Sequence, residues 1–315
     1  MGRRTCRLNL TVLNESKAMK IIADEASNTI PHTRMWTVQP DHIDRPFLVS
    51  VTVPQGEAPE GGWNGVVATD GNMSVGSVVQ VVGYPAMEGH MPAALVVTIG
   101  YPLDWPTPHA LARNQDLTYM PWPEWDQPYG EILGSTPPPS GEADLFLGFI
   151  NDELKPAMEK RFSVNPDQWT LMGHSLGGLF ATHALLSNPG RFRRYLAVGS
   201  SYWWMGGHIL CRAEAFAALA DSVDARIFIA AGGLETAEAF KRQWAPLMEQ
   251  EVWQRYIGVM GGYVDIVGDS ARMADILSGR TGLRAAYETI PEETHGTAVL
   301  PAYVRGMRWL HAADG

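Results

Sequence analysis

The stretch Gly173-His174-Ser175-Leu176-Gly177-Gly178 decides how the rest of the chain reads. Residues 168–172 lead into it with strand character, and residues 179–186 lead out with helical character. A serine on so sharp a strand-to-helix turn takes a strained backbone conformation. Only small residues two before and two after it let strand and helix approach closely. Gly173 and Gly177 occupy those two positions. A glycine-rich turn with an idle serine has the same composition. The flanking strand and helix favour the other reading, a nucleophile elbow that presents the Ser175 hydroxyl.

Working outward, strand-like runs fall at 33–38, 47–53, 65–69 and 93–99 before the elbow, and at 195–198, 226–231 and 283–290 after it. The near-continuous apolar run at 93–99 suits a strand covered on both faces. Helical patterns fall at 75–84, 143–162, 238–255, 270–278 and 297–312. Strands alternating with helices or long crossovers predict a largely parallel sheet. The expected architecture is therefore an α/β-hydrolase fold, a mostly parallel central sheet flanked by helices. Residues 101–140 interrupt the pattern with many prolines, ending in Pro137-Pro138-Pro139, and with Trp105, Trp122 and Trp125. Tryptophans are out of place in a solvated linker, so this segment is expected to be an ordered Pro/Trp-rich loop region over the active site. Residues 1–30 read as an extension with weak helical character at 16–26, and 31–315 as a single catalytic domain.

Composition narrows the function classes. A net charge of −10 argues against nonspecific binding to nucleic acid or to an anionic membrane. Cys6 and Cys211 make neither a disulfide framework nor a Cys-x-x-Cys pair. The arginines at the N-terminus are followed by no apolar run of signal-peptide length, and no stretch approaches a membrane span, so the expected location is cytoplasmic. Phosphate-loop, zinc-helix and dinucleotide-turn motifs are missing, and neither metal nor cofactor is expected.

A serine hydroxyl needs a base within hydrogen-bond reach to act as a nucleophile at neutral pH. With a serine elbow the partners follow in the order Ser, Asp or Glu, His. His295 lies just past the last expected strand, in Pro291-Glu292-Glu293-Thr294-His295-Gly296, where this architecture places its base. The acid belongs after the strand at 226–231, which makes Glu235 the candidate, with Glu238, Asp265 and Asp269 as rivals. One oxyanion donor is the amide of Leu176, directly after the serine. The second is the amide of Asn72, in the turn Asp70-Gly71-Asn72, or alternatively that of Tyr101 after the next strand. Trp203 and Trp204 are either core or the wall of a pocket for an aromatic or acyl group. Arg113 is either salt-bridged or a receptor for an anionic substrate group, and Tyr101 is a further substrate-binding candidate.

Taken together, these segments resemble the esterase D-type branch of the α/β-hydrolases, nearest to the ferric-siderophore trilactone esterases. The resemblance spans about residues 33–310, judged as a motif match. It rests on Asp70-Gly71-Asn72, Ile99-Gly100-Tyr101-Pro102, Arg113 with Asp116-Leu117-Thr118, the elbow, Trp203-Trp204, Gly232 with Glu235, and Thr294-His295-Gly296. It implies Ser175 as nucleophile, His295 as base, an oxyanion hole near Asn72 and Leu176, and Arg113 and Trp203 facing substrate. Some members of that subgroup run on a Ser-His pair, which leaves Glu235 the least secure of the three. Departures fall at Gly199-Ser200-Ser201-Tyr202, where the family shows Ser-Pro-Ser, and in the long regions 122–139 and 256–268. The expected function is a serine carboxylic-ester hydrolase working through an acyl-enzyme on a small-molecule ester of a bulky or aromatic kind. Siderophore trilactone hydrolysis, acyl transfer on the same fold, and a non-catalytic binding role are the alternatives.

Overall fold

The computed structural model of the chain describes residues 18–312. Among the described residues nine strands form one sheet. In chain order they are β1 Lys20–Ala26, β2 Thr33–Gln39, β3 Phe47–Thr52, β4 Trp63–Ala68, β5 Ala94–Gly100, β6 Val164–His174, β7 Arg194–Val198, β8 Ala225–Gly232 and β9 Leu283–Ile290. Their order across the sheet is β1-β2-β3-β5-β4-β6-β7-β8-β9. The pairings from β1 to β5 are antiparallel, and those from β5 through β4 to β9 are all parallel.

The helices between them are α1 Gly71–Met87, α2 His109–Leu117, α3 Pro123–Ile132, α4 Ala143–Gly148, α5 Lys155–Phe162, α6 Leu176–Ser187, α7 Trp204–Ala217, α8 Ala237–Trp244, α9 Glu251–Val259, α10 Ile266–Ser278 and α11 Val299–His311. Parallel strands need crossovers, and the crossover helices cover both faces of the sheet. Successive residues of a strand point to opposite faces, and the core divides accordingly. On one side Val66, Met172, Leu196 and Phe228 pack with Val78 of α1 and Tyr303 and Met307 of α11. On the other, Val67, Leu171, Tyr195 and Ile227 pack with Leu179 and Phe180 of α6 and with Met273 of α10. This α/β-hydrolase arrangement puts the end of β6 in the middle of the sheet, with loops converging on it from both sides.

Three local readings of the sequence differ from the structure. Residues 20–26 form a strand on the sheet edge, not a helix, with most side chains exposed; Ser16 and Lys17, the start of that reading, lie outside the described residues. Residues 101–140 contain α2 and α3 and are not a loop throughout. Pro123 opens α3, where its missing amide has no intrahelical acceptor to lose. The prolines that follow are pinned by the buried Asp126 carboxylate, which accepts hydrogen bonds from Ser140 N (3.0 Å), Ser140 Oγ (2.9 Å) and Asn114 Nδ2 (2.8 Å). Finally, the helix expected over 238–255 breaks into α8, a 3₁₀ turn at Ala245–Glu249 and α9, because Pro246 cannot continue an α-helix.

Candidate active site

Ser175 sits between β6 and α6 with φ 62° and ψ −118°, a region that a side chain occupies only when its surroundings force it. Those surroundings are tight. A Cβ on Gly173 would stand 2.4 Å from the carbonyl carbon of Gly177, and one on Gly177 would stand 2.3 Å from Thr69 Oγ1. The Ser175 amide donates to Val198 O (2.9 Å), and its hydroxyl lies 3.3 Å from Ser201 Oγ.

Glu235 follows β8 and is fully buried, a position at which a carboxylate must be hydrogen-bonded. Its Oε2 accepts from the Gly232 amide, and its Oε1 meets His295 Nδ1. Its rivals are placed otherwise. Asp265 accepts from Gly268 N (3.1 Å) and caps α10, Glu238 pairs with Arg242 on the surface of α8, and Asp269 lies in the first turn of α10. The His295 ring lies against that of His174, next to the serine, with centroids 4.4 Å apart and the planes tilted by 42°. Burial holds the His174 imidazole well below the usual histidine range, helped by His295 and then by Arg113. Burial thus favours the neutral form of His174. Ser175 Oγ bonds to Ser201 and not to His295 in this structure.

The opposite wall is built by the start of α1. Asp70 precedes that helix in the left-handed region, with φ 58° and ψ 40°. Asn72 grips the main chain of Tyr101 from both sides: its Nδ2 donates to Tyr101 O, and its Oδ1 accepts from Tyr101 N, each at 2.7 Å. The Tyr101 amide is thus occupied, and its side chain is core, not pocket: the ring is 5% exposed, and its hydroxyl donates to Asp116 Oδ2 at 2.9 Å. The amides of Asn72 and Leu176 both lie in the first turn of a helix, where no intrahelical acceptor exists. Arg113 is salt-bridged: Nε and Nη2 donate to the two oxygens of Asp70 (2.5 and 3.0 Å), and Nη2 also reaches His174 O at 3.3 Å.

Of the tryptophan pair, Trp204 is fully buried with its indole donating to Met120 O (3.1 Å), whereas Trp203 is only partly buried. Trp203 joins a chain of rings. It lies 5.9 Å from Trp125, Trp125 lies 5.5 Å from Tyr256, Tyr256 lies 6.5 Å from Trp244, Trp244 lies 4.9 Å from Phe240, and Phe240 lies 6.4 Å from His295. Residues 122–139 and 256–268, which look overlong in the sequence, thus supply rings to this chain through α3 and α9. Three further residues of the site, Asp70, His174 and Ser201, stand out only in three dimensions. Their one signal in the sequence is adjacency to the turn at 70–72, the elbow and the departure at 199–202. Among the described residues no cluster of His, Cys, Asp or Glu could hold a metal ion, and no helix is long and apolar enough to cross a membrane.

A strained serine at the end of a central parallel strand, with a histidine–carboxylate pair on the loops after β8 and β9, defines an α/β-hydrolase. Within that class the chain belongs to the Esterase family, described as "Putative esterase", whose model matches residues 41–256. It is accordingly a carboxylic-ester hydrolase. The ferri-bacillibactin esterase BesA of Bacillus subtilis is 31% identical over 213 residues, covering 66% of this chain and 72% of that protein. The siderophore enterobactin esterase of Emericella nidulans is 32% identical over 222 residues, covering 64% and 72%. Among solved structures, siderophore hydrolase EstB from Aspergillus nidulans superposes with a TM-score of 0.71 at 25% identity, covering 91% of this chain and 97% of that one. The similarity to siderophore esterases read from the motifs therefore holds for sequence and fold alike.

Proposed function

We propose that the chain hydrolyses the ester backbone of a siderophore through an acyl-enzyme on Ser175. The observation that carries this reading is the buried Glu235 bonded to His295 Nδ1, with the His295 ring packed against the residue next to Ser175. Glu235 fixes the tautomer with the proton on Nδ1, which leaves Nε2 as the base. Ser175 Oγ, released from Ser201, attacks the ester carbonyl and gives its proton to His295. The oxyanion is received by the amides of Leu176 and Asn72. Collapse expels the alcohol, which takes the proton from His295, and water then attacks the acyl-enzyme by the same route in reverse. The relatives named above act on siderophores, and the partly buried rings of Trp203, Trp244 and Tyr256 suit the flat aromatic groups of a bulky acyl portion. With Arg113 committed to Asp70, apolar contact with those rings is the main attraction the site offers a large substrate.

The test is hydrolysis of a trilactone siderophore, free and iron-loaded, beside p-nitrophenyl esters of acetic and aromatic acids. Ser175→Ala should fold normally and lose roughly 10³-fold or more in kcat. A serine-directed phosphonate should leave one adduct, mapping to Ser175. An adduct on another residue, or turnover of simple esters with none of the trilactone, sinks the mechanism or the substrate assignment respectively.

A further inference from the structure

We infer that Arg113 is a positioning residue that keeps the oxyanion hole open by holding the Asp70 carboxylate away from the Asn72 amide. The inference rests on the acyl-enzyme reading above. Asp70 stands at the N-cap of α1, and an aspartate there ordinarily accepts a hydrogen bond from the second or third amide of its helix. The second amide of α1 is that of Asn72. Yet Asp70 makes no capping hydrogen bond. Both of its oxygens are taken by Arg113 instead, in a two-pronged contact that only a guanidinium makes. The Met73 amide is taken by the Asp70 carbonyl (2.9 Å), and the Asn72 amide beside the elbow is left uncapped, as a developing oxyanion requires. The same guanidinium reaches His174 O, one residue before the nucleophile. Arg113 thereby spans the two main-chain segments that carry the donors, one before Asn72 and one before Leu176. Two of its three nitrogens are spent on this task.

Removing Arg113 would do more than delete a contact. The freed carboxylate could turn toward the Asn72 amide and set a negative charge where the oxyanion must form. A second substitution that removes this carboxylate should then restore activity, and glycine suits the position because Asp70 is left-handed, with φ 58°. The experiment compares wild type, Arg113→Ala and Arg113→Ala/Asp70→Gly on neutral p-nitrophenyl acetate and on an anionic ester, with melting temperatures recorded. Arg113→Ala should lose about 10²-fold in kcat on both esters, the scale for one lost oxyanion donor, with KM little changed. The double variant should regain most of that loss. If Arg113→Ala does not fold, Arg113→Lys with and without Asp70→Gly asks the same question, because lysine cannot hold both oxygens in a fork. A loss confined to KM of the anionic ester makes Arg113 a substrate contact, and a double variant no better than the single one removes the role of Asp70; either overturns the inference. Ser175→Ala is the control. If it retains full activity, the acyl-enzyme reading falls and takes this inference with it; if it is inactive, the Arg113 result bears on the inference alone.

Discussion

At the scale of single residues, the acid is where the site departs most usefully from a bare serine–histidine pair. Glu235 is sealed from water, and its two oxygens have two partners, the Gly232 amide and His295 Nδ1. Glu235→Gln keeps the volume but can present an N–H to Nδ1 and favour the wrong tautomer. The related change in a serine protease costs about 10⁴-fold in kcat. A loss of that order, with the melting temperature unchanged, is expected here. A loss of only about 10-fold, within the range of a supporting hydrogen bond, would mean that Ser175 and His295 suffice. Chain order led to Ser175, Glu235 and His295 as candidates because an elbow limits which loops its partners come from. It could not lead to the bond between Asp70 and Arg113, which lie 43 residues apart, or to the one between Ser175 and Ser201, since nothing in local spacing reports which loops touch.

At the scale of elements, the elbow depends on how closely β6 and α6 approach. Gly173→Ala would set a Cβ 2.4 Å from the Gly177 carbonyl carbon, a backbone atom that cannot swing aside. Relief requires strand and helix to part, which displaces Ser175. Chemical denaturation should show a loss of about 1–3 kcal/mol, the usual cost of overpacking, and activity should fall further than the folded fraction. An unchanged midpoint would mean the junction is looser than these distances. Buried strands such as β5, apolar at nearly every position, were legible because both faces are covered. The edge strand β1 was not. Lys20–Ala26 shows no alternation of buried and exposed residues, and what makes it a strand is its ladder with β2, a non-local interaction. In α3 the prolines masked a helix because they read as breakers, although one stands where a helix accepts it.

At the scale of the whole molecule, two histidines other than His295 make the fold sensitive to acid. Burial depresses the His174 imidazole, and burial followed by Arg194 and Arg226 brings His311 down to about 3. The His311 ring is partly exposed, but its Nδ1 is sealed from water and has no partner. Both groups have folded-state values below the unfolded reference of about 6.5, so between the two the unfolded chain binds more protons. Stability is therefore fully present above about pH 6.5 and is lost as pH falls, for His311 over the span down to about 3. Melting temperatures measured from pH 7 to pH 4 should drop, and His311→Gln should flatten that slope; a slope unchanged by the substitution would place the sensitivity elsewhere. The wall of rings has an optical consequence as well. Six of the eleven tryptophans, Trp122, Trp125, Trp203, Trp204, Trp244 and Trp253, are linked there ring to ring, directly or through Tyr256. Excitation absorbed by any of them can pass along the chain of indoles, so a coloured ligand touching one ring would darken the emission of all, and the protein carries its own fluorescent reporter of such contact.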